Sequence, residues 1–271
     1  TIRDLLTHTS GLGYAQIGSK EANAIYAKNN ITGGLDVHDD RLSDAMKRLG
    51  RLPLMHQPGE KWTYGLNVDL LGYLVEIWSG ISLDSFFRQR IFEPLGMNDT
   101  YFNVPPEKAN RLVNLYSEDS TGRIMKQAGK VRGLHVTFPL CKKTYFSGGG
   151  GLSSTIYDYA VFLQMLLNGG QYNGKRLLSR NTVRMMTMNQ IGNIDFGNDK
   201  FGLGFAIVTE KSSADFPSQP GTFSWGGAFS TSYWADPKEK MIVIFYRQSW
   251  ITTHGDLGDK FRVLAYQSLN D

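Results

Sequence analysis

The change of hydrophobic period near residue 200 constrains the fold more than any other feature of this sequence. Up to Met188 the apolar residues recur at helical spacing in one segment after another. From Phe201 they alternate instead, and residues 201–209, 229–235 and 241–247 read as three strands. The last two are joined only by Asp236-Pro237-Lys238-Glu239, a turn by composition. A link that short makes the two strands antiparallel. Leu257, Phe261, Leu264, Ala265 and Leu269 then form the buried stripe of a closing helix. Helices first and an antiparallel sheet late make the fold class α+β.

The helical part divides in order. Ile2, Leu5 and Leu6 share one face of a short helix that Ser10-Gly11 ends. Residues 20–52 form two helices broken around 29–35, the second carrying Leu42, Ala45, Met46 and Leu49. Residues 68–79 form an apolar helix closed by Gly80. Ser82 opens another with Leu83, Phe86, Phe87 and Ile91 buried, stopped at Glu93-Pro94 because proline cannot continue it. Residues 101–146 are irregular, with Asp119-Ser120-Thr121-Gly122 as a hairpin turn. A helix starts at 154–158, buries Phe162, Leu163 and Leu166, and ends at Asn168-Gly169-Gly170, and a shorter one spans about 179–188.

Five features invite a chemical reading. Tyr64 stands between the Pro58-Gly59 turn and a helix start that Asn67 would cap, with Asp69 in the first turn where the helix dipole favours a carboxylate. That setting can aim a side chain into a cleft, although on local evidence Trp62 and Tyr64 are ordinary core aromatics. In Phe223-Ser224-Trp225-Gly226-Gly227-Ala228 the paired glycines leave N–H groups accessible, as an oxyanion hole requires. A bulge or tight bend uses the same residues, and spacing alone does not choose. Gly148 to Gly151 lack the Lys-Ser/Thr pair or G-x-G-x-x-G spacing of a phosphate cradle, so close backbone packing is the better reading. His8 reads as a buried, hydrogen-bonded histidine at a helix end. Cys141, beside Lys142 and Lys143, is the single cysteine, which excludes an intrachain disulfide and a cysteine metal cluster and makes a structural role the better reading.

Composition removes whole classes of function. A chain of 271 residues, 41% hydrophobic and 20% charged, is neither disordered nor membrane-embedded, and its apolar runs fall short of the ~18 residues a span needs. The net charge of +4, with no basic stripe among aromatics, argues against nucleic acid. His8, His38, His56, His135 and His254 show no metal-ligand spacing, and the sequence calls for no cofactor.

Four phrases in order carry a resemblance: Leu5-Leu6-Thr7-His8-Thr9-Ser10-Gly11-Leu12, Pro58-Gly59-Glu60-Lys61-Trp62-Thr63-Tyr64 with Asp69-Leu70-Leu71-Gly72, Glu93-Pro94-Leu95-Gly96-Met97, and Trp225-Gly226-Gly227. Together the chain resembles the serine β-lactamase and penicillin-binding-protein superfamily, in the esterase-like branch near the class C β-lactamases. The resemblance implies an antiparallel sheet flanked by helices and a large mainly helical lobe, with the active site lying between them. It implies one partial domain over 1–271, its helical region 1–195 carrying the tyrosine motif and 196–271 the C-terminal strands and helix. It makes Tyr64 a general base and acid, Ala228 N–H one donor of the oxyanion hole, and Trp225, Gly226 and Gly227 the lining of the acyl site. Many members carry Asn two residues after the tyrosine. Here that place is Leu66, which weakens a claim of β-lactam binding.

The superfamily's first motif, Ser-x-x-Lys, is absent: no serine or threonine here has lysine three residues later. The expectation is an N-terminally truncated chain whose nucleophile falls upstream of Thr1, inactive as it stands. A free tyrosine, with pKa about 10, is a poor base without a cation beside it. The implied function is a serine hydrolase working through an acyl-serine, a carboxylesterase or acyltransferase on uncharged esters. An indole cannot hold the carboxylate that penicillins carry, which points the same way. The alternatives are a β-lactamase or D-Ala-D-Ala carboxypeptidase and, from another class, a non-catalytic binding or scaffold relative. The expected partners are a small acyl substrate, ester or amide, and other copies through an uncovered sheet edge. The resemblance admits a periplasmic or secreted location, and the sequence fixes no compartment.

Overall fold

A computed structural model describes residues 1–15, 19–31, 33–35, 40–131, 134–250 and 252–269; His38 lies outside them. The chain packs as two units. The first takes in Thr1–Asn110, Lys130–Ser154 and Asn193–Asp195, and the second Arg111–Gly129, Thr155–Gly192 and Phe196–Asp271.

The first unit is helical. Its core is built by Ile2–Leu6, Lys20–Lys28, Leu42–Leu49 and Asn67–Ser79, with Leu42, Leu49 and Leu66 withdrawn from solvent. Burying each of these leucines contributes roughly 1.5–3 kcal/mol. Leu83–Phe87 runs on through a π turn, Arg88–Phe92, into a last turn at Glu93–Leu95. Pro94 sits at the start of that last turn, where its missing N–H costs least, and the π turn takes up the change of register. Ser82 caps this helix by accepting from Ser85 N–H, as expected. Asn67 does not cap its own. It is the first helical residue, Leu66 takes the cap position, and the Asn67 side chain is buried in other work.

The second unit holds a five-stranded antiparallel sheet, in the order Met241–Tyr246, Thr231–Asp236, Phe223–Gly226, Ala206–Ile207, Lys200–Phe201. Four of these five fall on the three stretches expected as strands. The stretch 201–209 breaks into part of a small hairpin because Gly202 and Gly204 turn it, and Phe223–Gly226 pairs as a strand of its own. Trp225 and Gly226 therefore lie on the sheet, not ahead of it. Tyr233 and Tyr246 meet Tyr159 of helix Ile156–Leu167 at 4.7 and 6.2 Å between ring centroids. On the opposite face Trp234 and Phe245 meet Phe261 of helix Leu257–Gln267 at 6.3 and 4.8 Å. Helices thus cover both faces, but the expected buried stripe of the last helix does not form: Phe261 reaches the sheet, while Leu257, Leu264 and Leu269 stand exposed. The Asp119 turn joins Tyr116–Glu118 to Ile124–Lys126, its carboxylate accepting from the Thr121 and Arg123 N–H groups.

Candidate active site

Tyr64 is held by backbone. Thr63 N–H donates to His8 carbonyl, Gly59 N–H to Thr9, Met55 N–H to Gly11 and Leu66 N–H to Gly13. The loop carrying the tyrosine is thereby laced onto the Thr-His-Thr-Ser-Gly phrase, 50 residues earlier in sequence. Gly65 is required for this: a Cβ there would collide with the Leu12 carbonyl and lie 2.5 Å from Gly13 Cα. Asn67 completes the lacing. Its amide donates to His8 Nδ1 at 3.0 Å and to Leu12 carbonyl at 3.3 Å, while its oxygen accepts from Ser10 Oγ.

The Tyr64 ring packs against His8 at 5.0 Å, Tyr14 at 5.2 Å and, stacked, Trp62 at 6.0 Å. His8 is buried, and burial drives its pKa down to about 4, so it is neutral at physiological pH. With Nδ1 accepting from Asn67, it is a packing and hydrogen-bonding partner, in line with its sequence reading. Burial, and then the nearby Asp69 carboxylate, hold the Tyr14 proton far above the usual phenol range. Asp69 is fully buried rather than merely placed in a helix first turn. Tyr14, the full burial of Asp69 and the anchoring role of Asn67 escape a sequence reading, because each depends on which residues meet across 50 or more positions.

Gly148 and Gly149 press against the start of helix Asn67–Ser79. A Cβ at Gly148 would strike the Val68 carbonyl, and one at Gly149 would lie 2.7 Å from Asp69 Oδ2 and 2.8 Å from the Tyr14 hydroxyl. The glycine run serves packing.

In the second unit Trp225, Gly226, Gly227 and Ala228 come together at one hairpin end. Trp225 is half-buried, edge-on to Phe201 at 5.3 Å. Gly226 pairs with Ser232, and the turn closes by Gly227 N–H donating to Thr231 carbonyl and Ser230 N–H to Gly227 carbonyl. Ser230 takes φ 66°, which lets the five-residue turn close. Ala228 is exposed and its N–H takes no part in these hydrogen bonds. A side chain on Gly227 would run into Thr231 Oγ1, so that glycine has a packing reason as well. Tyr64 and the Trp225–Ala228 group fall in different units. Among the described residues no cluster of His, Cys, Asp or Glu suits a metal ion, and no single helix is long and apolar enough to cross a membrane.

The family model for β-lactamases matches residues 1–267. The chain belongs to the β-lactamase family. At that level it is a chain of a hydrolase family. It is 35% identical over 260 residues to an uncharacterized protein of Mycobacterium tuberculosis, covering 91% of this chain and 62% of that one. It is 29% identical over 251 residues to esterase EstB of Burkholderia gladioli, covering 87% and 61%. The chain thus spans somewhat over half the length of these relatives. Among solved structures, EstCE1, a hydrolase with promiscuous acyltransferase activity, superposes with a TM-score of 0.85 at 23% identity over 98% of this chain and 71% of that one. That likeness establishes the antiparallel sheet and helical fold.

Proposed function

We propose that the protein is a serine hydrolase that works through an acyl-serine, a carboxylesterase or acyltransferase on uncharged esters, with its nucleophile outside these 271 residues. The observation that carries this reading is the exposed Ala228 N–H, free of the hairpin's own hydrogen bonds, at the end of the strand that bears Trp225. A free N–H is a donor for the oxyanion of a tetrahedral intermediate. An indole three residues before it offers an apolar wall and one neutral donor, suited to an ester and poorly suited to a substrate carboxylate. Tyr64 takes the hydroxyl proton of the nucleophile and returns it to the leaving alcohol. The name of the Burkholderia relative, an esterase, supports the same choice.

The test is Tyr64→Phe in the full-length protein with a p-nitrophenyl ester as substrate. A loss of at least 100-fold in kcat with the fold intact is expected, in the range general acid-base catalysis supplies (~10²–10⁴). Unchanged turnover would remove Tyr64 from the mechanism. Nitrocefin measured beside the ester decides between esterase and β-lactamase, and faster nitrocefin hydrolysis would overturn the ester assignment.

A further inference from the structure

The turn that carries the Ala228 N–H is not held by its own hydrogen bonds alone. Ser230 takes φ 66°, a left-handed backbone that a serine adopts where its surroundings impose it. Those surroundings are the segment that follows strand Met241–Tyr246. Ser249 N–H donates to the Phe229 carbonyl at 3.1 Å, and the Ser230 hydroxyl donates to the Ser249 carbonyl at 3.0 Å. Ser249 is itself bracketed: Tyr116 N–H donates to the Gln248 carbonyl at 2.9 Å, and Trp250 N–H to the Tyr116 carbonyl at 2.7 Å. Two residues beyond Tyr116, the Glu118 carboxylate closes the arrangement. One oxygen accepts from the Thr252 hydroxyl, the other from Thr253 N–H at 2.7 Å and the Thr253 hydroxyl at 2.6 Å. The Thr252 hydroxyl accepts in turn from His254 N–H at 3.0 Å, which leaves its own proton for Glu118. Every residue of this path lies in the second unit.

We propose that Glu118 is a positioning residue for the oxyanion donor: its grip on Thr252 and Thr253 fixes Ser249, and Ser249 holds the 227–231 turn in the shape that presents the Ala228 N–H. The inference rests on the reading of that N–H as a donor to the oxyanion. Such a donor works by standing in place before charge develops, so what fixes the turn bears on the transition state more than on substrate binding. A carboxylate suits the place because it only accepts. Three N–H and O–H groups converge on it, and a side chain with an N–H of its own would turn donor toward donor. The Thr252 and then the Thr253 hydrogen bonds hold the Glu118 carboxyl down to about 2, so it accepts as a carboxylate throughout the neutral range. The hairpin of Tyr116–Glu118 and Ile124–Lys126 thereby buttresses a turn that comes far later in sequence.

The experiment uses the full-length protein with Glu118→Gln, with the pair Thr252→Val and Thr253→Val, and with the pair Thr252→Ser and Thr253→Ser. Amide hydrogen exchange reads the turn directly. In Glu118→Gln and in the valine pair, exchange at Gly227, Ser230 and Ser249 should quicken about tenfold, a local opening, while residues 233–235 further along the strand keep the parent's rates. For a p-nitrophenyl ester, kcat should fall about tenfold with KM unchanged, less than the ~10²–10³ that losing an oxyanion donor outright costs. The serine pair keeps both hydroxyls and should match the parent in both readings. Adding Glu118→Gln to the valine pair should change neither reading further, since the groups act as one unit. Exchange at 227, 230 and 249 unmoved in Glu118→Gln overturns the inference, as does a serine pair that behaves like the valine pair. A loosened turn with kcat unchanged also overturns the positioning role. If Glu118→Gln does not fold, the valine and serine pairs carry the test by the same readings. The oxyanion reading fails separately: turnover that survives Ala228→Pro, which removes the N–H, would strike it, and the exchange rates remain measurable whatever its fate.

Discussion

Two buried groups in the first unit pull the pH dependence of stability in opposite directions. His8, its pKa held down to about 4 by burial, stays neutral in the folded chain while the unfolded chain takes up a proton below about pH 6.5. Its contribution is therefore present above 6.5 and lost as pH falls toward 4. Asp69, pushed up to about 6 by burial, does the reverse. The folded chain binds its proton as pH falls through 6, before the unfolded chain does at about 4, so stability is gained on acidification. Each shift corresponds to roughly 3 kcal/mol, and over pH 4–6 they offset. In Asp69→Asn the midpoint of urea unfolding should fall more steeply between pH 6 and 4 than in the parent. In His8→Asn it should fall less steeply or rise. Parallel midpoint curves for the three proteins would show that neither group is perturbed as its burial demands.

At the scale of elements, the sheet and most helices were legible because their signal is local. Ser82, Thr155 and Ser179 each accept from the N–H three residues on, and Asp236 gathers the Lys238 and Glu239 N–H groups at its turn. Phe223–Gly226 was missed as a strand because its glycine-rich end reads as a bend and its pairing with 231–236 is set by partners, not by its own alternation. The same limit hid Tyr14 and the full burial of Asp69. Tyr64 and Trp225 could be singled out only because whole phrases around them match a family. Lacing ties the first two of those phrases to each other: the Gly65 position has no room for a side chain against the Leu12–Gly13 backbone. Gly65→Ala should cost near or beyond the upper end of the ~1–3 kcal/mol of overpacking and displace Tyr64 with its loop. Gly59→Ala is the control, since φ 82° is unfavourable but nothing stands within 4 Å, and about 1–2 kcal/mol is expected from the backbone alone. Equal unfolding midpoints for the two variants would mean the loop is free to move away from the Leu12–Gly13 turn.

At the scale of the whole molecule, the sheet of the second unit presents a hazard that folding within the described residues does not remove. Met241–Tyr246 is a six-residue apolar strand paired on one side, with Thr231–Asp236. Both faces of the sheet carry helices, yet covering a face leaves the N–H and C=O groups along the edge unpaired. Such an edge is a template for another strand, and no lysine, proline or bulge interrupts it between Met241 and Tyr246. We therefore expect the 271-residue chain to pair edge to edge with a second copy. Hydrogen exchange read residue by residue decides the matter. As concentration rises, alternate amides between 241 and 246, those facing away from 231–236, should gain protection together with an increase in sedimenting mass. The other amides of this strand, already bonded to 231–236, should not change. Protection independent of concentration in a chain that sediments as a monomer would refute self-pairing and show that the edge is satisfied within one molecule.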